Sequence, residues 1–378
     1  MTRSKLLELL RQSPAHQVAR APYVDQGVAD VEPFPFVAIV GQEEMKLALI
    51  LAIINPNVGG VLLLGPRGTA KTTAVRSLTD LLPSIRKSVC PNGCTEALLE
   101  AGGMAAICDE CAQRVGYGEP LTRVERVRIV SLPLNARLED VVGGIDERLA
   151  LERRQVRLER GILSQADGHV LFIDEVNMLD GSIADAILDA AAQGHYTVRR
   201  GPQKLTYRSR FLLVGSMNPE EGNLRPQLMD RFGMRAAVRG LEEREARFHA
   251  YKQAMWYRQD PEGMAAAYAE QTLALAEEIE AARARLPAVD LDEAAKNVGL
   301  TLIEEMEIDS NRAEITLFEA ARAYAAADER TAVTADDIRA VSLLSLRLRS
   351  TPHLKAFFQA QEAEDRRLRA FFTADEEE

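Results

Sequence analysis

Val61-Leu62-Leu63-Leu64-Gly65-Pro66-Arg67-Gly68-Thr69-Ala70-Lys71-Thr72 passes from four apolar residues, through a loop with two glycines, to Lys-Thr at the head of a helical pattern over residues 73–82. Strand, glycine-bearing loop, Lys-Thr and helix, in that order, wrap backbone N–H groups around the phosphates of a nucleotide. A triphosphate needs unhindered backbone donors, one mobile cation and one hydroxyl for its metal ion, all at a helix N-terminus whose dipole favours anions. Gly65 and Gly68 read as the tight turn, Lys71 as the cation for the β- and γ-phosphates, and the Thr72 hydroxyl as a ligand of Mg²⁺. Pro66, Arg67, Thr69, Ala70 and Thr73 complete the expected nucleotide-binding set. Ala70 stands where the strict pattern has glycine, and its methyl group is expected to fit ordinary helical dihedrals. The stretch predicts an α/β fold that binds ATP or GTP.

A second element turns binding into hydrolysis. His169-Val170-Leu171-Phe172-Ile173-Asp174-Glu175 reads as a buried parallel strand ending in two carboxylates. Asp174 is expected to hold the magnesium. Glu175, one residue on and facing the other way, is expected to polarise the attacking water as general base. A third apolar run, residues 211–216, leads into Met217-Asn218-Pro219, which places the Asn218 amide at the carboxyl end of a strand, where doubly wound sheets bind ligands. Pro219 also marks a turn. Arg231, at the end of the amphipathic stretch 224–232, is a candidate finger for a neighbouring subunit's γ-phosphate, with a solvated arginine as the alternative that helical pattern alone leaves open.

These residues carry a closer resemblance. Phe36-Val37-Ala38-Ile39-Val40-Gly41-Gln42, the loop from Gly59 to Thr69, Asp174-Glu175-Val176-Asn177-Met178-Leu179-Asp180 and the block from Asn218-Pro219-Glu220-Glu221-Gly222 to Asp230-Arg231-Phe232-Gly233 resemble the AAA+ ATPase subunit I of magnesium chelatase, and the related cobaltochelatase ATPase subunits. The resemblance covers residues 33–349. It implies that Lys71 and Thr72 bind nucleotide, that Asp174 and Glu175 form the Walker B pair, that Asn218 is sensor 1 and that Arg231 is the arginine finger. Arg312, in Asp309-Ser310-Asn311-Arg312-Ala313-Glu314, falls where the helical lid of that family presents its sensor 2 arginine. It further implies a homo-oligomeric ring, a hexamer, that drives metal insertion into a tetrapyrrole. That tetrapyrrole is held by a separate large subunit, and a D-type subunit or von Willebrand factor A domain protein is a further partner. Two departures stand out. Ala70-Lys71-Thr72 is similar to the loop of MoxR-type AAA+ proteins, a sister clade of chaperone ATPases, and Arg160-Gly161-Ile162-Leu163 lacks the proline of the family's turn. A MoxR-like chaperone and a nucleotide-gated scaffold are the alternative functions.

All four cysteines fall in one window, as Cys90-Pro91-Asn92-Gly93-Cys94 and Cys108-Asp109-Glu110-Cys111. Two cysteine pairs joined by a loop match a tetrahedral Cys₄ site, in which thiolates fold a segment too small for its own core around one zinc ion. A [4Fe–4S] cluster shares the Cys₄ requirement. The sequence shows no signal peptide and no transmembrane run, so a cytoplasmic protein without membrane insertion is expected, which disfavours disulfides. The five histidines are scattered without metal-ligand spacing.

Composition agrees. A net charge of −11, with only 11 Phe, 8 Tyr and 1 Trp, argues against a nucleic-acid partner, which needs excess Lys and Arg and stacking platforms. A hydrophobic fraction of 47% in 378 residues permits large cores. Expected along the chain are a lead segment (1–32, helical over 5–11) and an αβ nucleotide-binding domain (33–240) with five parallel strands near 61–64, 127–132, 170–174, 211–216 and 234–238. The cysteine insertion (84–125), a charged helical pattern (147–159) and a hairpin pairing Gly194–Val198 with Leu205–Arg208 interrupt that domain. A helical lid (241–350) includes a long helix over 261–285 and a capping box at Thr334–Asp337, and an acidic tail (351–378) follows. Arg199, Arg200, Lys204, Arg208 and Arg210 make the hairpin basic. In the resembled family such a hairpin meets partners; a merely solvated one is the alternative.

Overall fold

The computed structural model describes residues 32–90, 92–144, 159–200, 203–222 and 224–349. The expected lead helix, the acidic tail and nearly all of the charged pattern at 147–159 lie outside them.

Five apolar runs become the five strands of one parallel sheet. Helix α1 (Glu43–Ile54) leads to β1 (Val61–Leu64), and the glycine loop then opens α2 (Lys71–Arg76). A tighter 3₁₀ turn over Ser77–Asp80 replaces the rest of the helix that periodicity suggested, and the Ser77 hydroxyl donates to Thr73 O at 2.7 Å. The insertion follows as β2 (Ser84–Ser88), α3 (Glu96–Gly102), α4 (Asp109–Gly116) and β3 (Thr122–Arg126), with β2 and β3 paired as an antiparallel ribbon outside the main sheet. The main chain resumes with β4 (Ile129–Leu132), α5 (Leu138–Val142), α6 (Ile162–Gln165), β5 (Val170–Ile173) and α7 (Gly181–Gln193). Strands β6 (His195–Arg200) and β7 (Gln203–Arg208) form the hairpin in the register expected, with Val198 opposite Leu205. Then come β8 (Leu212–Met217), α8 (Pro226–Met229) and β9 (Met234–Ala237).

The strand order is β4-β5-β8-β1-β9, and every neighbouring pair runs parallel. Parallel strands covered on both faces need continuous aliphatic runs, and β5 and β8 are buried along their whole length. Alternation splits them between two cores. Val61, Leu63, Val170, Phe172 and Val214 face one cluster; Leu62, Leu171, Ile173 and Leu213 face the other, with α5 to α8.

Beyond the sheet the chain is mainly helical, with α9 (Arg244–Gln259), α10 (Pro261–Arg285), α11 (Glu293–Glu305), α12 (Arg312–Ala327) and α13 (Ala335–Leu346), and Asp290–Leu291 pairs in parallel with Ala332–Val333. The alanine-rich face of α12 lets it pack tightly, and Ala313, Ala320, Ala321 and Leu317 join the same cluster as Val61 and Leu63. The lid therefore shares a core with the sheet. The capping box forms at α13, where Thr334 N–H donates to the Asp337 carboxylate at 2.7 Å.

Candidate functional site

The phosphate loop leaves β1 at the carboxyl end of the sheet. Gly65 is required by contact, since a Cβ there would collide with Val238 O, whereas Gly68 is required by conformation, at φ 77°. Ala70 departs from the expectation of ordinary helical dihedrals. It sits at φ 65°, ψ 19°, the left-handed region, which costs an L-residue roughly 1–2 kcal/mol. The reason is the abrupt change of direction from loop to helix, because Ala70 O already accepts the first α2 bond from Ala74 N–H at 2.8 Å.

Around this loop the expected residues converge on one polar cavity of 210 Å³ that Lys71, Thr72, Asp174, Glu175 and Asn218 all line. The Lys71 ammonium is folded back on the loop, donating to Gly65 O and Pro66 O at 2.7 Å each. Burial draws its pKa below 10.5, against the opposing pull of Asp174, Glu221 and Glu175. The Thr72 hydroxyl donates to Asp174 Oδ2 at 2.9 Å, which brings the two expected magnesium ligands within one hydrogen bond of each other. Their oxygen donor set suits that hard cation.

Strand alternation does not separate the two carboxylates as expected. Strand β5 ends at Ile173, and Glu175 takes φ 51°, ψ 52°, so that both acids line the same cavity. Non-glycine residues held in that region cluster at working sites. Arg67 bridges two acids, with its guanidinium 3.3 Å from Glu175 Oε1 and 2.5 Å from Glu221 Oε1. Asn218 is buried, and its carboxamide oxygen accepts from Glu220 N–H at 3.3 Å, so it caps the Asn-Pro turn and lines the cavity together.

Beside the polar cavity lies a mostly apolar cleft of 680 Å³ that also borders Gly68, Thr69, Ala70 and Thr73. Its far walls are Phe34, Ala38, Ile39 and Val40 and the α9 face bearing Gln253 and Tyr257. The size and lining suit a flat heteroaromatic group attached to the phosphates.

Arg231 and Arg312 stand together, away from this cavity. The β9 strand starts beside the start of β1, with Gly233 N–H on Gly59 O at 3.3 Å, whereas the phosphate loop leaves the other end of β1. Arg312 pairs with Asp230 Oδ2 at 3.0 Å and donates to Asp230 O at 3.1 Å. Burial, and then the Arg312 charge, lower the Arg231 pKa. Within one chain neither arginine meets Lys71.

The four cysteine sulfurs lie within 4.8 Å of one another, and all four are free thiols. Tetrahedral thiolates around zinc sit about 3.8 Å apart, so little contraction is needed. Cys94 N–H donates to Cys90 Sγ and Cys108 N–H to Cys94 Sγ, at 3.4 and 3.3 Å. Burial would raise the Cys90 thiol, but the bonds from Ser88 and Cys94 outweigh it and bring its pKa to about 6. Of the five buried residues in this small core three are cysteines, the others being Ile107 and Leu121. The donor set fits a thiophilic ion.

Comparison with known proteins decides the family. The family model for magnesium chelatase, subunit ChlI, matches residues 148–244, and that for an AAA lid domain matches residues 302–370. A magnesium-chelatase subunit ChlI homolog of Methanocaldococcus jannaschii is 42% identical over 84% of this chain and 86% of its own length. The chain belongs to the magnesium-chelatase subunit ChlI family. The ChlI subunit of Synechocystis sp. is 41% identical over 91% of this chain and 96% of its own. At the level of fold alone, a putative ATPase from Cytophaga hutchinsonii, 18% identical, superposes with a TM-score of 0.53 over 83% of this chain and 84% of its own.

As a ChlI-family chain it is an AAA+ ATPase, and several of its site residues carry no sequence signal. The Ser216 hydroxyl donates to Asp174 Oδ1 and accepts from Glu175 N–H at 3.1 Å, so one serine orients both acids. Within the stretch 211–216 it reads only as a strand residue. Glu221, partner of Arg67, and the cleft walls come together only through tertiary structure. Among the described residues no helix is long and apolar enough to cross a membrane.

Proposed function

We propose that this chain is the ATP-hydrolysing motor of a chelatase that inserts Mg²⁺, or Co²⁺, into a tetrapyrrole. The observation that carries the reading is the meeting of Lys71, Thr72, Asp174 and Glu175 in a single cavity, in a chain of the ChlI family. The phosphate loop binds the triphosphate through its amides, and Lys71 exchanges the Gly65 and Pro66 carbonyls for phosphate oxygens. Thr72 and Asp174 would hold the nucleotide's Mg²⁺, which supplies charge neutralisation at the β- and γ-phosphates. Glu175 accepts the proton of the attacking water, and Asn218 positions that water beside it.

Arg231 and Arg312, which stand at the other end of the sheet from the phosphate loop, serve the γ-phosphate of the next subunit in a homo-oligomeric ring, by resemblance a hexamer. A D-type subunit docks on that ring, and the tetrapyrrole is bound by a separate large subunit, so metal insertion itself occurs elsewhere. In the reducing cytoplasm, where we place the chain, the Cys90, Cys94, Cys108 and Cys111 thiols hold a structural zinc ion.

Affinity purification from the native cell, with identification of the co-purified chains, tests the reading. A large tetrapyrrole-binding chain is the expected companion. A von Willebrand factor A protein alone, with no tetrapyrrole-binding chain, would replace it by the chaperone role to which Ala70-Lys71-Thr72 is similar.

A further inference from the structure

The cysteine insertion is held in two places, one at its root and one inside the cysteine cluster. Its root is the β2–β3 ribbon, fixed to the main sheet at His169, the residue before β5. Buried His169 lies with Nε2 2.8 Å from Lys87 Nζ and 3.4 Å from Glu125 Oε1, and its Nδ1 accepts from Arg128 N–H at 3.2 Å. Burial, then the Lys87 and Arg128 charges, bring its pKa down to about 4, so the ring is a neutral hydrogen-bonding post at pH 7. None of these contacts involves a cysteine.

The second attachment lies inside the metal knuckle itself. Arg208, the last residue of β7, donates from Nη1 to Gly93 O at 3.0 Å, between Cys90 and Cys94. Gly93 takes φ 75°, and any side chain on it would collide with Arg208 Cδ. The amides of the knuckle turn inward, Gly93 N–H to Cys90 O and Cys94 N–H to Cys90 Sγ at 3.4 Å each, which leaves the Gly93 carbonyl for the arginine. On its other side Arg208 Nε lies 3.9 Å from Asp167 Oδ2, and Asp167 Oδ1 accepts from Arg210 N–H at 2.9 Å. The hairpin root is also tied to α7, through Ser209 Oγ on Ala190 O at 3.2 Å.

A core whose buried members are three cysteines, Ile107 and Leu121 cannot hold this loop shape by hydrophobic burial alone. No contact of the root depends on a cysteine, whereas the carbonyl that Arg208 grips lies between two of them. We propose that zinc occupancy of the Cys₄ site clamps the β6–β7 hairpin through the Arg208–Gly93 contact, making the hairpin's position a readout of metal loading. This rests on the structural-zinc reading above. Arg208 acts here as a positioning residue. The exposed Arg199 and Lys204 near the hairpin tip are what it positions. The hairpin connects α7, which follows Glu175, to β8, which ends beside Asn218, so the clamp bears on the elements that frame the hydrolytic site.

Hydrogen exchange on the full chain, read with zinc content, tests this. Zinc-loaded wild type should protect the hairpin amides, and stripping with a chelator under reductant should speed their exchange about tenfold, as loss of a charge-assisted bond implies, with β5 and β8 unchanged. Arg208→Ala should retain one zinc per chain and give the fast hairpin exchange while loaded, with no further change on stripping, and Arg208→Lys should fall between. Loaded Arg208→Ala exchanging like wild type, or stripping that accelerates only the insertion, overturns the clamp and leaves the zinc reading standing. Wild type purified without zinc overturns both.

Discussion

The two ends of the parallel sheet carry opposite chemistry. At the carboxyl end stand the phosphate loop, Asp174, Glu175 and Glu221, a site with amide donors, one lysine and three carboxylates. At the amino end Arg231, Arg235, Arg312 and Arg349 gather around Asp230, and burial together with Arg349 draws the Arg235 pKa down to about 10. Arg235 and Arg349 are buried and spent on main-chain carbonyls, so Arg231 and Arg312, the half-buried pair, are the ones open to an incoming phosphate. Strand β1 alone separates the ends by roughly 13 Å at about 3.3 Å per residue. Such opposed ends suit the head-to-tail contact between copies that we propose, which closes into a ring where the rotation from copy to copy closes.

Arg231→Ala tests this opposition most severely. If the arginine end completes a neighbour's site, turnover falls roughly a thousandfold or more while nucleotide binding at the variant's own loop persists. Mixing Arg231→Ala with Glu175→Gln should then restore hydrolysis that neither variant shows alone, and no restoration would confine each site to its own chain. Glu175→Gln acts at the other end, with an expected loss of about a hundredfold to ten-thousandfold in kcat and undiminished calorimetric binding of ATP. Unchanged turnover would remove Glu175 as the base. Ser216→Ala should have the smallest effect, roughly tenfold on kcat with little change in KM, because Ser216 holds the Asp174 carboxylate and the Glu175 main chain in place. A raised KM with intact kcat would assign it to binding instead.

Much of the nucleotide site was legible because its signals are local. The glycine loop, the Lys-Thr pair and strands buried on both faces leave contiguous marks, and the cysteine pairs declare themselves by spacing. The conformations of Ala70 and Glu175 left none, since neither residue type announces a positive φ and each is forced there by the turn it must make. Arg312 illustrates a different limit. Its position in the lid's sequence resembles that of a residue serving the nucleotide, yet the docking of α12 against the loop after α1 puts it beside Asp230.

The sequence by itself determined the elements and the chemistry: a phosphate loop between strand and helix, an acid pair at a strand's end, and four thiols in one window. Those depend on neighbours along the chain, where bonding geometry and periodicity are fixed by the residues themselves. Only the tertiary structure decided that Ser216 joins both acids, that Phe34 and Tyr257 border one cleft, that Arg231 and Arg312 share the far end, and that Arg208 grips the cysteine knuckle. Each joins residues distant in sequence, and such meetings are set by how whole elements pack around shared cores.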